Sequence, residues 1–217
     1  MRTDNQLQQD VMDELSWDPI LQSSEIGVAV KNGVVTLSGQ VNSYSKKMAA
    51  ENAAKRVKDV KAVAVDVEVH ISSDSKRTDT DIANAAVNAL KWSSFVPDDH
   101  IKLKVDDGWI TIEGEVEWQF QKESASSAIR NLIGVKGISN QVKVKPSITP
   151  VVVRDVIKKA LERSADIEAQ EINIITDGGT VVLKGKVRSW SERNEVQRAV
   201  WSAPGITDVK DELVIAP

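Results

Sequence analysis

Asn32-Gly33-Val34-Val35-Thr36-Leu37-Ser38-Gly39-Gln40-Val41 is the stretch on which the fold turns. Asn-Gly is the strongest short signal for a two-residue β-hairpin, because a type I′ turn needs positive φ at both central residues. Ahead of it Ile26, Val28 and Val30 alternate with polar residues, and behind it Val35, Leu37, Gly39 and Val41 do the same. Two strands sharing one apolar face are therefore predicted. The stretch returns 75 residues on as Asp107-Gly108-Trp109-Ile110-Thr111-Ile112-Glu113-Gly114-Glu115-Val116, and after a further 71 as Gly178-Gly179-Thr180-Val181-Val182-Leu183-Lys184-Gly185-Lys186-Val187. The same shifts, without a gap, align Leu7, Ile82 and Val153 at one end and Val69, Val144 and Ile215 at the other. The chain is thus three copies of a 63-residue unit.

The rest of each unit follows from its apolar period. Leu7, Val11 and Leu15 step by four, as do Ile82, Ala86 and Leu90, and Val153, Ile157 and Leu161, which marks one stripe of a first helix. Ala50, Ala53, Ala54 and Val57, with their counterparts Ala125, Ala128, Ile129 and Leu132 and Val196, Ala199, Val200 and Ala203, mark a second. A third strand closes each unit: Val63, Val67, Val69; Ile138, Val142, Val144; Val209, Leu213, Ile215. The expected fold class is α+β, three tandem αββαβ sandwich domains, each a small three-stranded mixed sheet with two helices on one face. Domains are expected at 1–71, 79–146 and 149–217. The first linker, 72–78, is polar and reads as flexible; the second, 145–150, carries Pro146 and Pro150 and reads as stiff. Gly33, Gly108 and Gly179 serve the hairpin turns. Gly39, Gly114 and Gly185 share the parity of the apolar positions, so they are placed on the inner face, where a helix is expected to come too close for a Cβ.

Composition removes whole classes of function. The 28 Lys and Arg against 32 Asp and Glu leave a net charge of −4, without the basic excess of a nucleic-acid binder. There is no cysteine, hence no disulfide, thiolate nucleophile or zinc ribbon. His70 and His100 stand at non-equivalent positions and read as exposed spectators, so no catalytic residue, metal site or cofactor is expected. Gly178-Gly179 is a turn and not a phosphate loop, and Asp98-Asp99 and Asp106-Asp107 lack the ligand spacing of a calcium loop. No run of about 18 apolar residues exists to span a bilayer. The opening Met1–Asp10 has no basic segment followed by an apolar one. The expected location is the cytoplasm, or the periplasm if a leader preceded Met1.

Six tryptophans in a chain with one Tyr and two Phe concentrate attention. Trp17 and Trp92 are equivalent, at the exit of the first helix, and are read as caps on the local core; Tyr44 and Trp190, equivalent at the start of the second helix, are read the same way. Trp109 has the outer parity of its strand, and Trp201 stands where the siblings carry Lys55 and Arg130, a position facing water. Those two are candidate binding residues, for contacts between units or protomers or for a lipid or partner surface. Arg154, Lys158, Lys159 and Arg163 line the first helix of the third unit and form a candidate basic patch, weakened by Asp155 and Glu162.

The unit resembles the BON domain, a bacterial module found in osmotically inducible periplasmic proteins, outer-membrane lipoproteins, secretins and channels. The resemblance is carried by the hairpin glycine, the glycine six residues on, the valine two later, and a tail, as in Gly134-Val135-Lys136-Gly137-Ile138-Ser139-Asn140-Gln141-Val142-Lys143-Val144. Pro204-Gly205-Ile206-Thr207-Asp208-Val209 opens a similar tail in the third unit, whereas the first has Asp59 for the turn glycine and Val65 for the asparagine. The resemblance implies a non-enzymatic binding or scaffold protein, associated with phospholipid or envelope partners and linked to osmotic stress. In such relatives the first helix of one domain meets the headgroups. Contact with lipid would be weak and salt-sensitive, and a homo-oligomer is possible. Two alternatives stand beside this: a cytoplasmic small-ligand or potassium sensor, and a structural protein–protein interaction module.

Overall fold

The computed structural model describes residues 2–21, 26–147, 153–164 and 171–216. In the first domain α1 (Asp4–Trp17) leads to the hairpin β1 (Ile26–Lys31) and β2 (Val34–Val41), then α2 (Tyr44–Arg56) and β3 (Ala62–Val69). The second has α3 (Asp79–Trp92), β4 (Ile101–Asp106), β5 (Trp109–Val116), α4 (Gln119–Ile129), β6 (Gly137–Asn140) and β7 (Lys143–Val144). The third has α5 (Val153–Glu162), β8 (Ile172–Asp177), β9 (Thr180–Val187), α6 (Trp190–Trp201) and β10 (Asp208–Ile215). In every sheet the middle strand runs antiparallel to the strand before it and parallel to the last. Both helices lie on the apolar face, and Leu7, Val11 and Leu15, or Ile82, Ala86 and Leu90, are buried against Val35 and Leu37, or Ile110 and Ile112. Each domain has its own core. The first linker contains one 3₁₀ turn, Ser73–Ser75. Half of the proline-bearing second linker, 148–150, lies outside the described residues.

The first helix also builds the hairpin. Asp4 opens α1, and its carboxylate accepts from the turn amides of Asn32 (2.7 Å) and Gly33 (3.1 Å). Asp79 does the same for Asp107 (2.8 Å) and Gly108 (2.9 Å). Charge-assisted bonds of this kind are worth about 1.5–3 kcal/mol each. Asp79→Ala is therefore expected to destabilise the second domain by about 2 kcal/mol in urea unfolding, with Asp79→Asn recovering only part. An unchanged midpoint for Asp79→Ala would show the clamp to be idle.

Three expectations need correction. The glycines Gly39, Gly114 and Gly185 have φ of +125°, +145° and +131°, but at Gly114 and Gly185 the close neighbour is not a helix. A Cβ on Gly114 would lie 2.1 Å from the carbonyl oxygen of His100, and one on Gly185 would lie 2.0 Å from that of Glu171. The neighbour is the backbone just ahead of the first strand, which these glycines let in; Gly39 itself is exposed. Second, the turns at Asn32-Gly33 and Asp107-Gly108 have positive φ at both residues, but in the third turn Gly178 (+55°) has it and Gly179 does not. A Cβ on Gly179 would meet the Thr207 hydroxyl at 2.7 Å, so that glycine serves close approach. Third, the last strand of the second domain is split into β6 and β7. Asn140, the last residue of β6 and paired with Ile112, donates its side-chain amide to the Lys122 carbonyl and the Ser126 hydroxyl, both at 2.7 Å, tying sheet to α4 where the strand breaks.

Candidate functional site

The helix-terminal aromatic residues fall into two sets: Trp17 and Trp92 do not cap their cores as the sequence reading expects, whereas Trp190 packs on its own core and on a neighbour's. Trp17 and Trp92 are 86% and 89% exposed, and three residues on Ile20 and Phe95 are 56% and 63% exposed. Equivalent positions of two domains thus carry a bare tryptophan as the last residue of the first helix and a second bare apolar side chain, Ile20 or Phe95, just beyond it. The third domain has Arg163 at the tryptophan position. On that domain's α5, Arg154, Lys158, Lys159 and Arg163 are all exposed, and so is Val156 among them. Lys158 pairs loosely with Glu162, 3.9 Å away.

Tyr44 and Trp190, at the first position of α2 and α6, reach into neighbouring domains. Tyr44 packs on the core of the second domain and Trp190 on the core of the first. Burial, then the Glu51 charge, raises the Tyr44 phenol above its ordinary pKa, against the Ile138 backbone and Arg130 of the second domain, which pull it down. The Lys55 ammonium lies 5.0 Å from the Trp190 ring centroid, and the Arg193 guanidinium 4.9 Å from it. Gln119 is the same position in the second domain, and it borders a cavity shared with Trp201 of the third. Lys55, Arg130 and Trp201 are themselves equivalent. So the start of the second helix in each domain meets the end of the second helix in the next: 44 with 130, 119 with 201, 190 with 55. A head-to-tail relation repeated three times and returning to its origin is cyclic, with equivalent positions at one level along its axis. Trp17, Trp92 and Arg163 are equivalent positions of the three copies, at or just past the end of the first helix. No signal within a single unit predicts the cyclic relation; only the aromatic-to-cation pairing across aligned copies hints at it.

Trp201 is half-buried against the core of its own domain and faces the second. Trp109 is 54% exposed on the outer face of β5, and its ring covers Gly137 of β6, where a Cβ would come within 2.2 Å of it. His70 and His100 are exposed. Among the described residues no group of three or more His, Asp or Glu is placed to hold a metal ion, and no helix is long and apolar enough to cross a membrane.

A family model described as "BON domain" matches this chain three times, over residues 3–70, 78–146 and 151–217. The osmotically-inducible protein Y of Escherichia coli K12 is 30% identical over 129 residues, covering 58% of this chain and 64% of that protein. The match thus spans under two thirds of the relative's length. Among solved structures, CdsD, a structural protein of the type III secretion system of Chlamydia trachomatis, is 17% identical with 98% of this chain and 93% of that chain covered, at a TM-score of 0.27. Its C-terminal domain is 16% identical with both chains fully covered, at the same TM-score. At that level the superposition carries no argument.

Proposed function

This chain belongs to the BON domain family, and from that membership we propose that it is a non-enzymatic, osmotic-stress-linked binding protein that docks on phospholipid surfaces through the segments following its first helices. The observation that carries the reading is the near-complete exposure of Trp17 and Trp92, each with a second large apolar residue three positions on. Isolated exposed apolar residues need no explanation, but a tryptophan and a second large apolar residue exposed at equivalent positions of two domains do. Tryptophan with an aliphatic or aromatic neighbour suits the headgroup boundary, where its ring is half in hydrocarbon and its N–H stays wet. At the third position Arg163, with Lys159 and Val156, supplies charge for anionic headgroups, at about 1 kcal/mol per basic residue near the surface. A net charge of −4 opposes this, so the contact is weak and weakens further with salt.

Two docking points on one chain bind with avidity, because the second contact forms at high effective concentration. Sedimentation with anionic vesicles at low salt should pellet the chain, neutral vesicles should pellet less, and high salt should release it. Trp17→Ala or Trp92→Ala alone should weaken binding about tenfold, and the double substitution should abolish it. No pelleting at low salt, or a double variant that binds as well as the parent, would refute the reading. Trp201 is engaged within the chain, so Trp109 alone of the two candidate tryptophans remains for an outside protein partner.

A further inference from the structure

We propose that the junction between the second and third domains is a binding site for a quaternary ammonium group. One junction puts the Lys55 ammonium at the end of one helix over the Trp190 ring at the start of another, and at a second the Arg130 charge acts on Tyr44, which packs on the second domain's core. The third breaks the pattern on both sides. Its helix-end residue is the aromatic Trp201, and its helix-start residue is Gln119, which has no charge to offer. Nor does Gln119 cross the junction; its side-chain amide donates to Glu123 of its own helix at 3.1 Å. What remains is a cavity of about 310 Å³ lined by Trp118, Gln119, Phe120 and Glu123 of one domain and Arg198, Trp201 and Ser202 of the other.

The lining states what the cavity takes. Three aromatic side chains and one carboxylate, in a pocket at the small end of the usual range, are the chemistry that holds an alkylated ammonium. Such a cation has no N–H to be stripped of water, so aromatic faces replace its hydration at little cost, and Glu123 offsets its charge. Phe120 is braced for the task by an edge-to-face contact with Phe95, centroids 6.2 Å apart at 84°. Arg198, ion-paired with Glu195, stands on the same wall and gives the anionic end of a zwitterion a partner. The occupant supplies the cation that the other two junctions find in Arg130 and Lys55.

Titration of the full chain with tetramethylammonium, followed by the indole N–H resonances, should move the Trp201 signal saturably in the millimolar range. Choline should bind likewise, and its uncharged isostere 3,3-dimethylbutan-1-ol at least about tenfold more weakly than choline, since the gain is cation–π and not area. Trp201→Ala should abolish the accompanying shift of the Trp118 indole signal from the same cavity. Because Trp201 also packs on its own core, a second variant keeps the test clean: Gln119→Arg places a cation over Trp201 from within and should block the probe in a chain whose circular dichroism is unchanged. Glu123→Gln should weaken binding several-fold. Choline and glycine betaine against phosphatidylcholine vesicles separate a free solute from a lipid headgroup. Equal binding of the uncharged isostere, or full binding by Gln119→Arg, would overturn the proposal, as would the absence of a saturable shift. None of these results depends on whether Trp17 and Trp92 meet a membrane.

Discussion

Replacing Gly114 by valine should unfold the second domain, with a loss of about 4 kcal/mol or more in a transition the neighbouring domains do not share. Two costs combine. The backbone there sits at φ +145°, a region that side chains other than glycine's enter at about 1–3 kcal/mol and β-branched ones least readily. The new Cβ would also lie 2.1 Å from the His100 carbonyl oxygen, a distance no real contact shows, so the pairing of Ile101 with Gly114 that starts the β4–β5 ladder must open. Glu113→Val, one residue away on the outer face and exposed, should change stability by no more than about 0.5 kcal/mol. Hydrogen exchange of the β4 and β5 amides reads both. Similar losses for the two variants would show that the glycine's backbone conformation is not what is being conserved through the three copies.

Trp190→Ala is the second large effect. Its ring is packed on the core of a domain about 140 residues away in sequence and lies between Lys55 and Arg193. Truncation removes buried area and two cation–π contacts of about 0.5–1 kcal/mol each, a total near 3 kcal/mol. The first and third domains are not consecutive, so this contact closes the cycle. Its loss should raise the maximum dimension of the chain in small-angle scattering, leaving each domain folded. Trp190→Phe separates the ring from the indole nitrogen, which is buried and has no hydrogen-bond partner among the described residues. An unsatisfied buried donor costs about 1–3 kcal/mol, so the phenylalanine variant should stay compact and be no less stable than the parent. A Trp190→Ala chain as compact as the parent would show the three domains to be held by their linkers alone.

The fold was legible because each element repeats its own period three times. A four-residue step marks the helices, alternation marks the strands, and Asn-Gly or Asp-Gly marks the turn, so errors in one copy are corrected by the others. Parity put the strand glycines on the inner face, yet Gly39 is exposed, and parity carries no information on which backbone approaches Gly114 and Gly185; that depends on how the segment ahead of the first strand bends. The outward tryptophans were within reach. Trp17 follows Leu15 by two residues, about 200° around a helix, which puts it opposite the buried stripe. Weighting aromatic residues toward cores overrode that register. Tyr44 and Trp190 were not within reach from one unit, since each completes a core to which it does not belong.

Single cysteines in a chain that has none allow the most direct test. Ser16→Cys and Lys91→Cys are exposed, equivalent neighbours of Trp17 and Trp92. With a nitroxide on each in turn, electron paramagnetic resonance on anionic vesicles measures how deep each label sits. Two docking points engaged together on one chain predict the same shallow immersion, at headgroup depth, for both labels on the same vesicles. A label at one position left in water while the other is immersed, or both left in water on vesicles that retain the protein, would contradict it.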